Sequence, residues 1–243
     1  MLLLLTSCQE VDPRAVYTQA QKKTAALSQG EQKIDLSFVL DPEGEAVTYQ
    51  WEMTARFVQK EKGIELEVQS DNHFPKRDFT SGSIYQNGIF YVNDNGKKYQ
   101  AEMEYSVLDQ RISRIYPDIT LSVSQLDEIQ SSKKENGMLF RFSVAADEVQ
   151  ILTDFAISQM QNFANYVPTD VKPQKGTGEI LVSGDSYIQT TSLNIPCVIV
   201  NGDETIDAVL TYQNELVSPG SSIQIKVEDP ESYPAVSIWD LPW

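Results

Sequence analysis

The chain has 243 residues, a formal net charge of −16 and a pI near 4.4. Such acidity repels nucleic-acid phosphates and anionic bilayer surfaces, so it excludes binding to either through a basic face. Hydrophobic residues make up 41%, with 11 Tyr, 9 Phe and 3 Trp, which supplies a sizeable core and excludes a disordered chain.

The chain opens MLLLLTSC. Leu2 to Leu5 are too few to span a bilayer, which needs about 20 apolar residues. Leu5-Thr6-Ser7-Cys8 resembles the bacterial lipobox, in which small residues precede a cysteine that is diacylated and becomes the mature N-terminus. The absence of a basic stretch before the leucines places the true start upstream, or implies a trimmed signal. The resemblance implies lipid attachment at Cys8 and anchoring on the outer face of the cell membrane. Two acyl chains suffice for stable anchoring where one is marginal.

Residues 1–8 are thus read as a signal remnant, 9–12 as a tether and 13–243 as one domain. Asp12-Pro13 reads as an N-cap followed by proline at the first helical position, and Gly30 as a stop. A helix is expected over 13–29, with Val16, Ala20, Ala26 and Leu27 on one side. The period then becomes two. Ile34, Leu36, Phe38 and Leu40 alternate with polar residues, as do Tyr49, Trp51, Met53, Ala55 and Phe57, and then Ile64, Leu66 and Val68. Alternation of this kind gives antiparallel strands with one wet face. Asn87-Gly88 and Asn95-Gly96 mark two hairpins, and ITLSV (119–123) is a candidate short strand.

Gly137 opens a strand with Met138, Phe140, Phe142 and Val144 inward. A helix over 147–163 follows, with Val149, Leu152, Phe155, Ala156, Met160 and Phe163 on one face and Asp147 and Glu148 at its positive end. Residues 166–178 read as a loop. GEILVSG, YIQTTSLNIPCVIV, ETIDAVLTY and SIQIKVED read as strands, with an Asn201-Gly202 turn. Trp239 and Trp243 are expected to pack as a cap.

These features, from the lipobox through SIYQNGIFYVNDNGKKY and RFSVAADEVQILTDF to IKVEDPESY, resemble uncharacterised lipoproteins of Gram-positive gut bacteria. Their architecture is similar to that of the lipoprotein carrier LolA and of the mycobacterial LppX and LprG proteins. The resemblance implies an α+β fold: a large curved antiparallel sheet, a half-barrel of about 11 strands, with helices across its concave face. It also implies that a hydrophobic cavity between sheet and helices holds acyl chains.

No HExxH, GxSxG, CxxC or phosphate-loop motif occurs. One histidine, His73, and two cysteines, Cys8 and Cys197, leave no multi-histidine metal site and no scaffold of several disulfides. Cys197 reads as a small buried hydrophobe, and the pair Lys76-Arg77 is a weak signal for an anionic head. No catalytic residue, cofactor or metal is expected, and the chain is not read as an enzyme. The expectation is a monomeric, membrane-anchored protein that binds a lipid or other hydrophobic ligand and no nucleic acid. The candidate cavity residues are Trp51, Met53, Phe57, Met103, Tyr105, Phe140, Phe142, Phe155, Met160 and Phe163, the aromatic and Met residues that fall mainly at inward positions. The alternative is an envelope interaction protein with a closed core and no small ligand.

Overall fold

The computed structural model describes residues 12–41, 43–163, 170–201 and 204–241, without the side chains of residues 162, 163, 201 and 204. Helix α1 (Pro13–Ala25) begins as its sequence dictates, with the Asp12 side chain accepting from the Arg14 N–H at 3.0 Å and Pro13 at the first position. It ends well before Gly30. That glycine instead lies in a strand, where a Cβ would sit 2.8 Å from the Phe57 ring, so close packing explains it and a helix stop does not.

Six strands follow: β1 (Gln29–Leu40), β2 (Val47–Lys60), β3 (Gly63–Phe74), β4 (Arg77–Gln86), β5 (Ile89–Asp94) and β6 (Lys97–Glu102). Asn87 and Gly88 have φ of 54° and 79°, and Asn95 and Gly96 have 49° and 86°. Both pairs have the two positive φ values of a tight hairpin turn whose twist matches the strands. Helix α2 (Tyr105–Ile115) and strand β7 (Leu126–Lys134) come next, and sequence reading found neither. Strand β8 (Gly137–Val144) leads through a 3-10 turn at Asp147–Val149 into α3 (Gln150–Phe163). The expected loop over 166–178 contains β9 (Val171–Pro173) and the start of β10 (Gly176–Ser183). Strands β11 (Ile188–Asn201) and β12 (Glu204–Val217) complete the sheet, and Gly202 of the expected turn between them lies outside the described residues.

The twelve strands form one antiparallel sheet in the order β6-β5-β4-β3-β2-β1-β12-β11-β10-β8-β7, with β9 paired to β11 off this path. It is open and curved, so the α+β half-barrel expected from the sequence is the observed architecture, with twelve strands where about eleven were expected. The first and last strands are neighbours, with Ile34 opposite Asn214 and Phe38 opposite Leu210.

Two expected strands are absent. Residues 119–123 are irregular up to a 3-10 turn that starts at Val123, with Ile119 and Leu121 buried. Residues 222–229 bury Ile225 and Val227 with strand-like alternation, yet their backbone joins no ladder. Trp239 does not cap the fold. It is 77% exposed, with the Arg111 guanidinium 5.1 Å from its ring centre, and Trp243 lies outside the described residues.

The core lies between one sheet face and the helices. Trp51 of β2 meets Phe155 of α3 edge-on at 6.1 Å, and Tyr17 of α1 meets Phe140 of β8 at 5.7 Å. Helix α3 thus closes over β2 and helix α1 over β8, each through one aromatic contact that adds about 0.5–1.5 kcal/mol beyond area burial.

Candidate functional site: a polar-floored cavity beneath the first helix

Strand alternation decides what reaches the inner face. On β1, Gln32 is in phase with Ile34, Leu36 and Phe38, all of which are fully buried. On β12, Asn214 is in phase with Leu210, Tyr212 and Leu216. On β11, Thr191 shares the phase of Leu193 and Ile195. Thr191 pairs with Asn214, and Gln32 pairs with Leu216 one diagonal step away. A polar patch thus interrupts an apolar sheet face.

A cavity of about 210 Å³ lies over this patch. Helix α1 supplies Tyr17, Gln21, Thr24 and Ala25. Leu27, Phe57, Ile64 and Leu216 form an apolar side, and residues Tyr116 to Leu121 cover the patch from the opposite side. That covering segment is held by α1: the Tyr17 hydroxyl and the Gln21 amide both donate to the Leu121 carbonyl, at 2.5 and 3.1 Å.

The polar groups are incompletely paired. Gln32 Oε1 and Asn214 Oδ1 are buried and accept no hydrogen bond from the protein. Asn214 Nδ2 donates to Asp118 Oδ1 at a long 3.5 Å. The neighbouring Tyr212 hydroxyl approaches Asn214 and the Ile119 backbone without a full hydrogen bond to either. Buried polar atoms without partners are rare in native proteins, because each forfeits its hydration.

Asp118 is the only charged residue among the described lining residues. It is solvent-exposed by surface, yet the protein packed around it raises its carboxyl pKa. Burial also holds Tyr116 and Tyr212 neutral, with their pKa values raised, and pushes Tyr17 up to about 12.

The residues singled out from sequence divide into several groups. Of the ten, only Phe57 lines this cavity. Trp51, Met53, Phe140, Phe142, Phe155 and Met160 are buried core. Met103 is buried and Tyr105 is 37% exposed, and both border a separate open groove beside the β2–β3 turn. The Phe163 side chain and Cys8 lie outside the described residues. Cys197 is buried, with its thiol pushed up to about 12 by desolvation, which fits a small hydrophobe and not a nucleophile. His73 lies at the β3–β4 hairpin beside Asp78 at 3.1 Å, and Arg77 stacks over Phe79 at 5.1 Å. No cluster of metal-binding side chains occurs among the described residues.

Sequence reasoning missed Gln32, Asp118, Thr191 and Asn214. The signal for three of them was present, as a polar residue at the inward phase of a strand that is otherwise apolar there. Asp118 carried none, because only the tertiary fold brings residues 116–121 over the sheet.

No family model and no curated protein matches the chain in sequence. Among solved structures it is similar to the lipoprotein LppX of Mycobacterium tuberculosis, at 11% identity and a TM-score of 0.47, over 88% of this chain and 97% of that one. A LolA superfamily protein of Nitrosomonas europaea matches at 10% identity and a TM-score of 0.26, over 84% and 93%. A putative outer membrane lipoprotein-sorting protein domain of Vibrio parahaemolyticus matches at 7% identity and a TM-score of 0.26, over 83% and 91%. At these scores functional conclusions rest on the residues of this chain.

Proposed function

We propose that the chain is an extracytoplasmic lipoprotein, anchored through Cys8, that binds part of an amphipathic ligand in the cavity between α1 and the sheet. The observation that carries this is the cavity itself, with an apolar side at Leu27, Phe57 and Leu216 and unpaired buried oxygens on Gln32 and Asn214. Its volume of about 210 Å³ falls below the roughly 300–1,000 Å³ of sites that enclose a drug-sized molecule. A head with a few carbons fits, and a long acyl chain must leave through the mouth. The role is binding, and nothing in the lining residues is arranged as a nucleophile with a base.

Native mass spectrometry of protein purified from a lipid-containing host tests the reading. A wild-type adduct that disappears in Leu216→Trp, which fills the cavity, supports it. An adduct retained in that variant overturns it. No adduct from any host favours an envelope protein that works through its surface, a reading supported by the exposed Trp239.

A further inference from the structure

The open sheet treats its two edges differently. The C-terminal tail wraps the β6 edge. Tyr233 packs against Tyr91 of β5 on one sheet face. The tail is then held at Gln100 of β6, whose N–H donates to the Pro234 carbonyl at 3.0 Å and whose carbonyl accepts from the Val236 N–H at 2.9 Å. Beyond that point Val236 and Ile238 pack against the main core, on the face that carries Phe90 and Val92. The β7 edge is left bare. Among the described residues β7 pairs with β8 alone, and residues 130–136 are exposed. A bare edge strand offers its free backbone N–H and carbonyl groups to another strand. Charge is divided along this edge. Asp127 and Glu128 lie near its start, and Glu148 joins them there by accepting from the Gln125 side-chain amide. Lys133 and Lys134 lie at its end. Glu128 is occupied by the Ser143 hydroxyl at 2.8 Å and Lys175 at 3.3 Å. Asp127, Lys133 and Lys134 enter no ion pair among the described residues.

We propose that β7 is a self-association edge: a second copy of this chain lays its own β7 alongside, antiparallel, about a two-fold axis near Gln130 and Ser131. The sheet then runs on from one copy into the other. A two-fold axis makes the contact self-complementary, so the two strands meet in reverse order. Reversal puts Lys133 and Lys134 of each strand beside the Asp127 end of the other. A parallel neighbour in register would set lysine against lysine and acid against acid, which is destabilising. Lysines on an edge repel an incoming strand. Here they act against strands that lack acid at the matching place, and this chain carries that acid. The charges therefore select the partner by attraction and by repulsion. The irregularity between Asp127 and Gln130 leaves the second half of β7 as the regular ladder, so the contact is small and the dimer weak. The monomer expected from the sequence is then the dilute form. No lining residue of the α1 cavity belongs to β7, so this proposal stands apart from ligand binding.

Sedimentation velocity of the full, unlipidated chain under reducing conditions tests this, over roughly 10 µM to 1 mM, where a small interface associates. The expected result is a reversible monomer–dimer equilibrium. Lys133→Glu combined with Lys134→Glu should weaken it at least ~10-fold, and so should Asp127→Lys. Mixed in equal amounts, these two variants should form a heterodimer at least as tight as the wild-type dimer, because one edge is then acidic and the other mainly basic. Lys62→Glu combined with Lys97→Glu makes the same charge change away from β7, and at physiological salt should leave the dimer within ~2-fold of wild type. All the altered side chains are exposed, so the fold should survive each change. Amide exchange of the wild type gives a readout that needs no variant: protection within residues 130–134 should rise with concentration. A monomer throughout the range overturns the proposal. So does a dimer indifferent to the β7 changes, a control pair that weakens it as much, or a variant mixture that fails to associate.

Discussion

The Tyr17 hydroxyl of α1 donates to the Leu121 carbonyl across 104 residues of sequence, at 2.5 Å. That bond ties the covering segment to the helix and sets the width of the cavity between them. Tyr17→Phe removes it while leaving the ring against Phe140. Gln21 still satisfies the carbonyl, so the expected loss is about 1 kcal/mol. Thermal unfolding should show it as a fall of about 2–4 °C.

The same hydroxyl predicts alkaline behaviour. Burial raises its folded-state pKa from 10.0 to about 12. A group whose pKa is raised on folding contributes stability that is complete below its unfolded pKa and lost as pH rises through the folded one. Stability should therefore fall between about pH 10 and 12, and fall less steeply in Tyr17→Phe. Tyr116 and Tyr212 are raised as well, so the slope should shrink without vanishing. Urea unfolding across this range measures it.

Asp118 follows the same rule at lower pH. Its carboxyl pKa is raised by the protein packed around it, so ionisation is less favourable in the folded chain than in the unfolded one. Protonation below the folded-state pKa relieves the cost, and ionisation above it imposes the cost. Asp118→Asn should therefore stabilise the protein at pH 7, with the gain shrinking as pH falls toward the ordinary aspartate range. A gain that is the same at both pH values would show that the carboxylate bears no such cost. A residue retained at a cost to stability is expected where binding requires it.

How much of this was legible in the sequence follows from where each side chain points. Strands β1, β2 and β3 alternate because one face is dry, and the two Asn-Gly hairpins mark the ends of β4, β5 and β6, whereas β5 and β8 bury neighbouring residues on both faces, such as Phe90, Tyr91 and Val92. Strand β7 was not legible, because its residues after Leu126 are mostly exposed and an irregularity between Asp127 and Gln130 breaks the period. Helix α2 carried a signal that was overlooked, with Leu108, Ile112 and Ile115 at helical spacing on the side that packs against the core, although only Leu108 is fully buried. At 222–229 the alternation of Ile225 and Val227 was real, but Val227 packs with Tyr91 and Tyr233 and the segment pairs with no strand. The cavity was hidden for another reason. Aromatic and Met residues at inward positions report packing, whereas the site is marked by Gln32 and Asn214, polar residues at inward positions.

That distinction is testable at Phe155. Its ring packs on Trp51 in the closed part of the core, away from the cavity. Phe155→Ala should cost roughly 3–5 kcal/mol of stability through lost burial and the void left behind. Ligand binding by the fraction that remains folded should be unchanged. Leu216→Trp should show the reverse, with ligand lost and the fold retained. Denaturant unfolding and native mass spectrometry on the same samples separate the two effects.

Gly137 begins β8 with φ of 151°, and a Cβ there would stand 1.9 Å from the Val182 carbonyl oxygen. The obstacle is backbone of β10, whose Val182 and Ser183 pair with Met138 and Gly137. No rotamer change can relieve it. Gly137→Ala must therefore shift β8 against β10, and β8 carries Phe140 beneath Tyr17. The cost should reach the upper end of the roughly 1–3 kcal/mol typical of overpacking. Gly96 has φ of 86°, yet a Cβ there meets nothing within 4 Å. Gly96→Ala should be milder, limited to the strain of a positive φ. Equal losses in the two variants, measured by urea unfolding, would show that backbone conformation and not the contact with β10 sets the penalty at Gly137.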